Sequence, residues 1–171
     1  DGGGQLFITS GGLGYCYDLA TNVLTEIADL VADQGGMLTG YFVAFNRALS
    51  QIRISDLFDG MTWDPTQFAS RTISPDPWQA MWVTPYGQIV LPGSQTGEVW
   101  YNSNAFPFPF SPDPSGTFAE GIAATFSIQQ AGKSTVWLST GAEGGYTVVR
   151  MTGYTPQRIS THAVEFAIAH Y

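Results

Sequence analysis

The chain has 171 residues, with 14 Asp and Glu against 6 Lys and Arg and a net charge of −8. That length supports one domain hiding roughly 70% of its unfolded surface, while the six scattered bases (Arg47, Arg53, Arg71, Lys133, Arg150, Arg158) exclude the clustered positive face that grips nucleic acid. No basic-then-apolar signal segment and no apolar run near the roughly 20 residues of a membrane span occurs. The lone Cys16 excludes an internal disulfide framework and a Cys-rich zinc site, and reads as a half-buried strand residue.

Strand signals run the length of the chain. In order they are "QLFITS" (5–10), "YFVAF" (41–45), "QIRIS" (51–55), "AMWV" (80–83), "QIVL" (88–91), "STVWLS" (134–139) and "YTVVRM" (146–151). Each is short, β-branched or aromatic, and bounded by Gly, Pro, Asn or Asp. A phrase recurs among them. Gln5, Gln51, Gln88 and Thr135 each precede an apolar-x-apolar triplet, and Gly14, Gly60, Gly97 and Gly144 follow nine residues later. After the glycine a second strand is expected each time: "YCYDL", "MTWDP", "EVWYN" and "YTVVRM". Asp18 and Asp64, four residues past their glycines and followed closely by Thr, carry turn chemistry, so the four glycines and these two acids are expected to shape the turns. Third strands are expected at "VLTEI" and "ASRTI", and preceding ones at "GYFVAF" and "QAMWVT".

Four strands in about 45 residues is the unit of a β-propeller blade, whose sheet cannot bury both faces alone. The sequence therefore predicts an all-β β-propeller of about four antiparallel blades, part of a larger propeller, with a regularly spaced β-sandwich as the competing architecture. The 1–171 chain reads as a single propeller domain with blades at about 1–33, 34–76, 77–121 and 122–160. The start at "DGGG" without Met, and the lack of a strand before "QLFITS", lead us to expect a processed or excised piece of a longer chain. The terminal 161–171 segment carries both patterns. Ser160 and Thr161 are good N-caps, with Val164, Ile168 and Tyr171 at helical spacing, but Val164, Phe166 and Ile168 also alternate as in a strand.

Catalytic constellations are sparse. His162 and His170 are eight apart, too far for a metal pair on one helix face. Asp56, Asp59 and Asp64 lack the alternate spacing and terminal Glu of a calcium loop, and Asp59-Gly60 reads as a hairpin turn. No phosphate-cradling loop, Ser-His-Asp order or thiol-base pair is present, and we expect no catalytic residue, cofactor or metal. Two aromatic stretches read as rigid loops or as contact surfaces: "SPDPWQAMW", with Trp78 and Trp82, and "NAFPFPFSPDPSG", with Phe106, Phe108 and Phe110. The alternating prolines of the second cannot continue a central strand, and exposed aromatics anchor interfaces.

Several phrases resemble a known family. "GEVWYNS", "GYTPQRIS" and "THAVE" are the most specific, within "TGEVWYNSNAFPFPFSP", "GIAATFSI" and the 135–168 stretch; "YFVAF" and "SPDPW" extend the likeness more loosely. Together they resemble the packaged-DNA stabilisation proteins of short-tailed bacteriophages, also called tail accessory factors, over what would be the middle of a longer protein. The resemblance implies a non-enzymatic virion protein of the tail hub, made in the bacterial cytoplasm, that helps close the portal channel and retain packaged DNA. Its implied partners are the adaptor and portal ring, the tail needle and the tailspikes, with a cyclic homo-oligomer expected and no nucleic-acid or membrane binding by this segment. A second reading is a carbohydrate-binding or glycoside-cleaving propeller. Trp78, Trp82 and Trp100 would stack on sugars there, with Glu98 or Glu120 acting. Those tryptophans separate the two: a concave pocket beside paired carboxylates favours the sugar reading, and packing between blades opposes it.

Overall fold

A computed structural model describes residues 4–71, 73, 75–140 and 144–170. Among them, four consecutive sheets follow the chain. The first holds β1 (Gln5–Ile8), β2 (Gly12–Asp18) and β3 (Val23–Ala32). The second holds β4 (Gln34–Leu38), β5 (Tyr41–Asn46), β6 (Gln51–Ile54) and β7 (Phe68–Ser70). The third holds β8 (Trp82–Thr84), β9 (Gln88–Pro92), β10 (Gly97–Asn102) and β11 (Phe110–Phe118). The fourth holds β12 (Gln129–Ala131), β13 (Ser134–Thr140), β14 (Tyr146–Thr152) and β15 (Thr155–Arg158). In each sheet the spatial order is the chain order, so every neighbour is reached by a short turn. The all-β, propeller-like architecture read from the repeat is the one observed. No helix among the described residues is long and apolar enough to cross a membrane.

The chain divides into two compact units, Asp1–Ile73 with Asn102–Phe110, and Ser74–Tyr101 with Ser111–Tyr171. Each unit is a pair of sheets sharing one core. In the first, Cys16, Ile27, Leu30 and Ala32 of the first sheet meet Ala44 of the second, with Phe7 and Trp63 packed on them. The Phe7 ring lies 5.2 Å from Trp63 and 5.8 Å from Phe42. In the second unit, Val90, Val99 and Phe118 meet Ile128, Trp137 and Val149. Five-residue strands bury little alone, and face-to-face packing removes the remaining apolar surface from water.

The glutamine of the repeated phrase ties sheet to sheet. Gln5 Nε2 donates to Asp59 Oδ1 (3.3 Å) and Gln5 Oε1 accepts from the Gly60 N–H (2.7 Å), joining β1 to the turn after β6. Gln88 Nε2 donates to the Tyr154 hydroxyl (2.9 Å), which donates to Asp113 (2.6 Å), joining the third sheet to the turn before β15. The glycines of the phrase also differ from expectation. Gly14 lies inside β2 at a register shift and Gly97 opens β10, so neither sits in a turn. A methyl at Gly97 would overlap the Phe118 ring, and one at Gly60 would sit 2.9 Å from Phe42. Their role is close approach of an aromatic ring to bare backbone. Gly144 alone of the four has a positive φ, +82°, with nothing within 4 Å.

Three other departures have local causes. "MTWDP" is not a strand: Asp59 accepts from Met61 N–H and the Thr62 hydroxyl, Asp64 from Thr66 N–H and hydroxyl, and Trp63 Nε1 donates to Gly60 O, bonds that outcompete a ladder. The strand of Gln51 is third in its sheet, whereas those of Gln88 and Thr135 are second in theirs. The Pro112–Pro114 stretch does form a strand, β11, but at the sheet edge, where a missing N–H is harmless. The terminal segment takes the helical alternative, α1 (His162–Ile168), held by an Arg158–Glu165 ion pair and by Ser160 Oγ donating to Glu165 (2.6 Å). Tyr171 lies outside the described residues.

In the second unit the motif "SPDPW" is pinned by its Asp. The Asp76 carboxylate accepts from the N–H groups of Ser94, Gln95 and Thr96 and from both hydroxyls of that turn, at 2.5–3.1 Å. Burial pushes its pKa up, but the Ser94 hydroxyl and the three N–H groups prevail and hold it well below the usual carboxylate range.

Two outcomes are expected. Gly97→Ala destabilises the chain by about 1–3 kcal/mol through overpacking, measured by urea unfolding, and Phe118→Leu in the same chain recovers part of the loss. Asp76→Asn places an amide among donors and costs about 1 kcal/mol at neutral pH, the low end because the site is partly open to solvent. Because the folded pKa lies below the unfolded one, the Asp76 contribution is present above about pH 4 and fades as pH falls below it. Unfolding free energy in Asp76→Asn should therefore fall less steeply with acid than in the parent, and equal slopes would refute the assignment.

Candidate docking site

The segment between β10 and β11, "NSNAFPFPF", builds a stiff loop on the first unit. Asn102 Nδ2 donates to Thr39 Oγ1 (2.6 Å), and its Oδ1 accepts from Asn104 N–H (2.8 Å). Ser103 closes the loop base, its N–H and hydroxyl both donating to Pro109 O at 2.8 and 3.0 Å. Phe110 packs edge-on against Tyr41 at 5.9 Å, and Phe108 edge-on against Phe110 at 5.9 Å. Pro107 and Pro109 fix φ between these anchors. The root is thereby buried, with Phe110 3% exposed, while the Phe106 ring at the tip is 94% exposed.

Beside Phe106 lies a hollow of about 180 Å³. Its apolar wall comes from Tyr41, Leu57, Phe106, Pro107 and Pro109, and its polar groups are Asp56 and Gln67. The sequence places the second wall by turn chemistry: after β6 the chain forms an Asp56–Asp59 bridge, with Asp56 N–H donating to Thr62 O and Phe58 N–H to Gly40 O. Leu57 is half exposed there, an apolar residue in a turn that would ordinarily be polar. Among the described residues nothing donates to the Asp56 carboxylate, and the Gln67 side-chain amide has no partner either. The hollow thus joins an apolar surface to acceptor groups not used internally.

The other aromatics lie elsewhere. Trp78 is fully buried, edge-on to Trp100 at 5.5 Å, so burial takes it off the surface. Trp82 and Phe108 are half-buried; the Trp82 Nε1 donates to Gln130 (3.4 Å) and its ring rests on the second unit's core. Glu98 is buried and accepts from Trp100 Nε1 (3.0 Å), and Glu120 accepts from Ser139 (2.9 Å). Tryptophans turned into a core beside a buried carboxylate do not favour a sugar site.

Asp18, expected to shape its turn, accepts from the N–H groups of Ala20 and Thr21, as Asp64 does from Thr66. No group of three metal-ligating side chains occurs among the described residues. His162 lies 3.5 Å from Glu165, and His170 stacks on Phe166 at 4.2 Å. The pKa of the buried Cys16 thiol is pushed up first by burial and then by Asp59 and Asp18, which disfavours the thiolate.

The model of the family described as Bacteriophage P22 Gp10, β-propeller, a phage stabilisation family, matches residues 4–171. The chain belongs to that family. Membership makes it a phage structural protein of the stabilisation class, as the phrases "GEVWYNS" and "GYTPQRIS" implied. No curated protein matches. Among solved structures, the N-terminal domain of Nup159 is similar with a TM-score of 0.56 at 9% identity, over 92% of this chain and 45% of that one. PorZ, a bacterial surface component of the type-IX secretion system of Porphyromonas gingivalis, is similar with a TM-score of 0.52 at 10% identity, over 90% and 20%. The chain thus spans less than half of either structure, and such identities speak to fold alone.

Phe106→Ala should leave stability within about 0.5 kcal/mol of the parent, while Phe110→Ala costs about 3–5 kcal/mol. Thermal unfolding of both variants checks the contrast, and a large loss in Phe106→Ala would make the tip part of the core.

Proposed function

We propose that this phage structural protein acts without catalysis as part of the tail or neck hub, helping to close the portal channel and retain packaged DNA. The family match over residues 4–171 is the observation that carries the reading. An acidic, base-poor chain suits a protein plug that holds DNA back without gripping it. In this reading the blades are rigid mounts, several copies assemble with cyclic symmetry in the host cytoplasm, and loops such as 102–110 receive the adaptor, needle and tailspike proteins. A rigid loop presenting one exposed aromatic ring is the form an interface anchor takes, because little ordering entropy is left to lose on binding.

The test is DNA retention. Filled heads prepared without the protein should lose their genome, read as nuclease-sensitive DNA after gradient purification. Heads that keep fully protected DNA without it would rule out channel closure.

A further inference from the structure

We infer that the hollow beside Phe106 is a receptor for an arginine side chain on an exposed loop of a partner virion protein. The inference rests on the docking reading of the 102–110 loop and adds the chemistry of what docks.

Three observations converge on arginine. Asp56 is the one formally charged group among the lining residues, and its carboxylate is unengaged by any described donor. Asp56 and Gln67, both lining the hollow, carry acceptor oxygens of the kind that the planar fork of a guanidinium takes. The wall of Tyr41, Leu57, Phe106 and prolines gives the methylene stem an apolar bed and the guanidinium aromatic rings within its reach. Lysine would use the charge but neither the fork nor the stacking. A purely apolar side chain would cover the carboxylate without pairing it, an unfavourable burial.

The described arginines of this sequence make contacts elsewhere. Arg53 donates to the Asp29 carbonyl, Arg150 to the Ser134 hydroxyl, and Arg158 pairs with Glu165. Arg47 and Arg71 are engaged as well. A net charge of −8 further disfavours a second copy and favours a basic partner surface.

The probe is the peptide acetyl-Gly-Arg-Gly-amide, titrated into the chain while the Tyr41 and Phe106 ring signals are followed by NMR. Saturable shifts are expected, with binding weaker by about tenfold or more for the citrulline peptide and for Asp56→Asn. Unchanged thermal unfolding of Asp56→Asn establishes that the variant is folded. Absence of saturable shifts, or equal binding of arginine and citrulline peptides, overturns the inference. Self-association of the chain that Asp56→Asn abolishes, seen by sedimentation, overturns the partner assignment in favour of a second copy. Incorporation into virions separates the two levels. If Phe106→Ala blocks it and Asp56→Asn does not, docking stands and the arginine falls; if both incorporate normally, docking falls too.

Discussion

The structure depends on one constraint: a small sheet acquires a core only by pressing its face against another sheet. Val90 of β9 and Val99 of β10 are buried because the third sheet meets the fourth, and Cys16 and Leu30 are inaccessible because the first meets the second. Close approach then dictates composition. Where Phe118 crosses the start of β10 the backbone has no room for a side chain, so the position is Gly97; where Phe42 crosses the turn after β6, it is Gly60. At positions 14, 60 and 97 the repeated glycine is a footprint of neighbouring aromatic rings, whereas Gly144 is distinguished by its positive φ. Gln5 and Gln88 then join the edges of paired sheets by hydrogen bonds that loose packing could not align.

This division of labour bears on function. Rigidity resides in the paired sheets, so connecting segments are free to carry recognition without supporting the fold. The 102–110 loop is the sharpest case. Its base spends two serine donors on one carbonyl and buries Phe110, and the resulting stiffness holds Phe106 in water. An exposed aromatic ring on a preorganised loop has the form of an interface anchor. Membership of a phage stabilisation family supplies a setting in which such covering is expected.

The fold was largely legible because its signals are local: apolar triplets, a glycine at constant spacing, turn residues between them. What escaped depended on which side chains bond to the backbone, which residue type alone does not announce. The "MTWDP" segment carries strand-forming residues, and only the bonds from Asp59, Asp64 and the Trp63 indole reveal that its backbone is otherwise engaged. Trp78 and Phe106 look alike in sequence, each aromatic beside prolines, yet one is inaccessible and the other almost fully exposed. The difference lies in Asp76, which draws the Trp78 segment onto the Ser94–Thr96 turn, and in Ser103, which pushes the Phe106 tip outward by closing its base. Asp56 and Leu57 could be found beforehand only through the oddity of "SDLFDG", an apolar pair inside an acidic turn, and nothing in the sequence marks Gln67.

The acidity of the chain also has a structural origin. Asp18, Asp59, Asp64 and Asp113 each accept hydrogen bonds from nearby N–H or O–H groups that hold them below the usual carboxylate range, and Glu165 does so between Ser160 and Arg158. A chain built of short strands has many turns, and ionised carboxylates are efficient acceptors for the N–H groups that turns leave unpaired. Much of the negative charge is therefore turn architecture. Against that background Asp29 and Asp56 stand apart, with no described donor at either carboxylate, and Asp56 is the one that lines the hollow. Asp56 sits among the same turns, yet no described donor reaches its carboxylate, and it borders an apolar hollow beside the almost fully exposed Phe106 ring. An exposed carboxylate beside an exposed aromatic ring is open to a donor that arrives from outside.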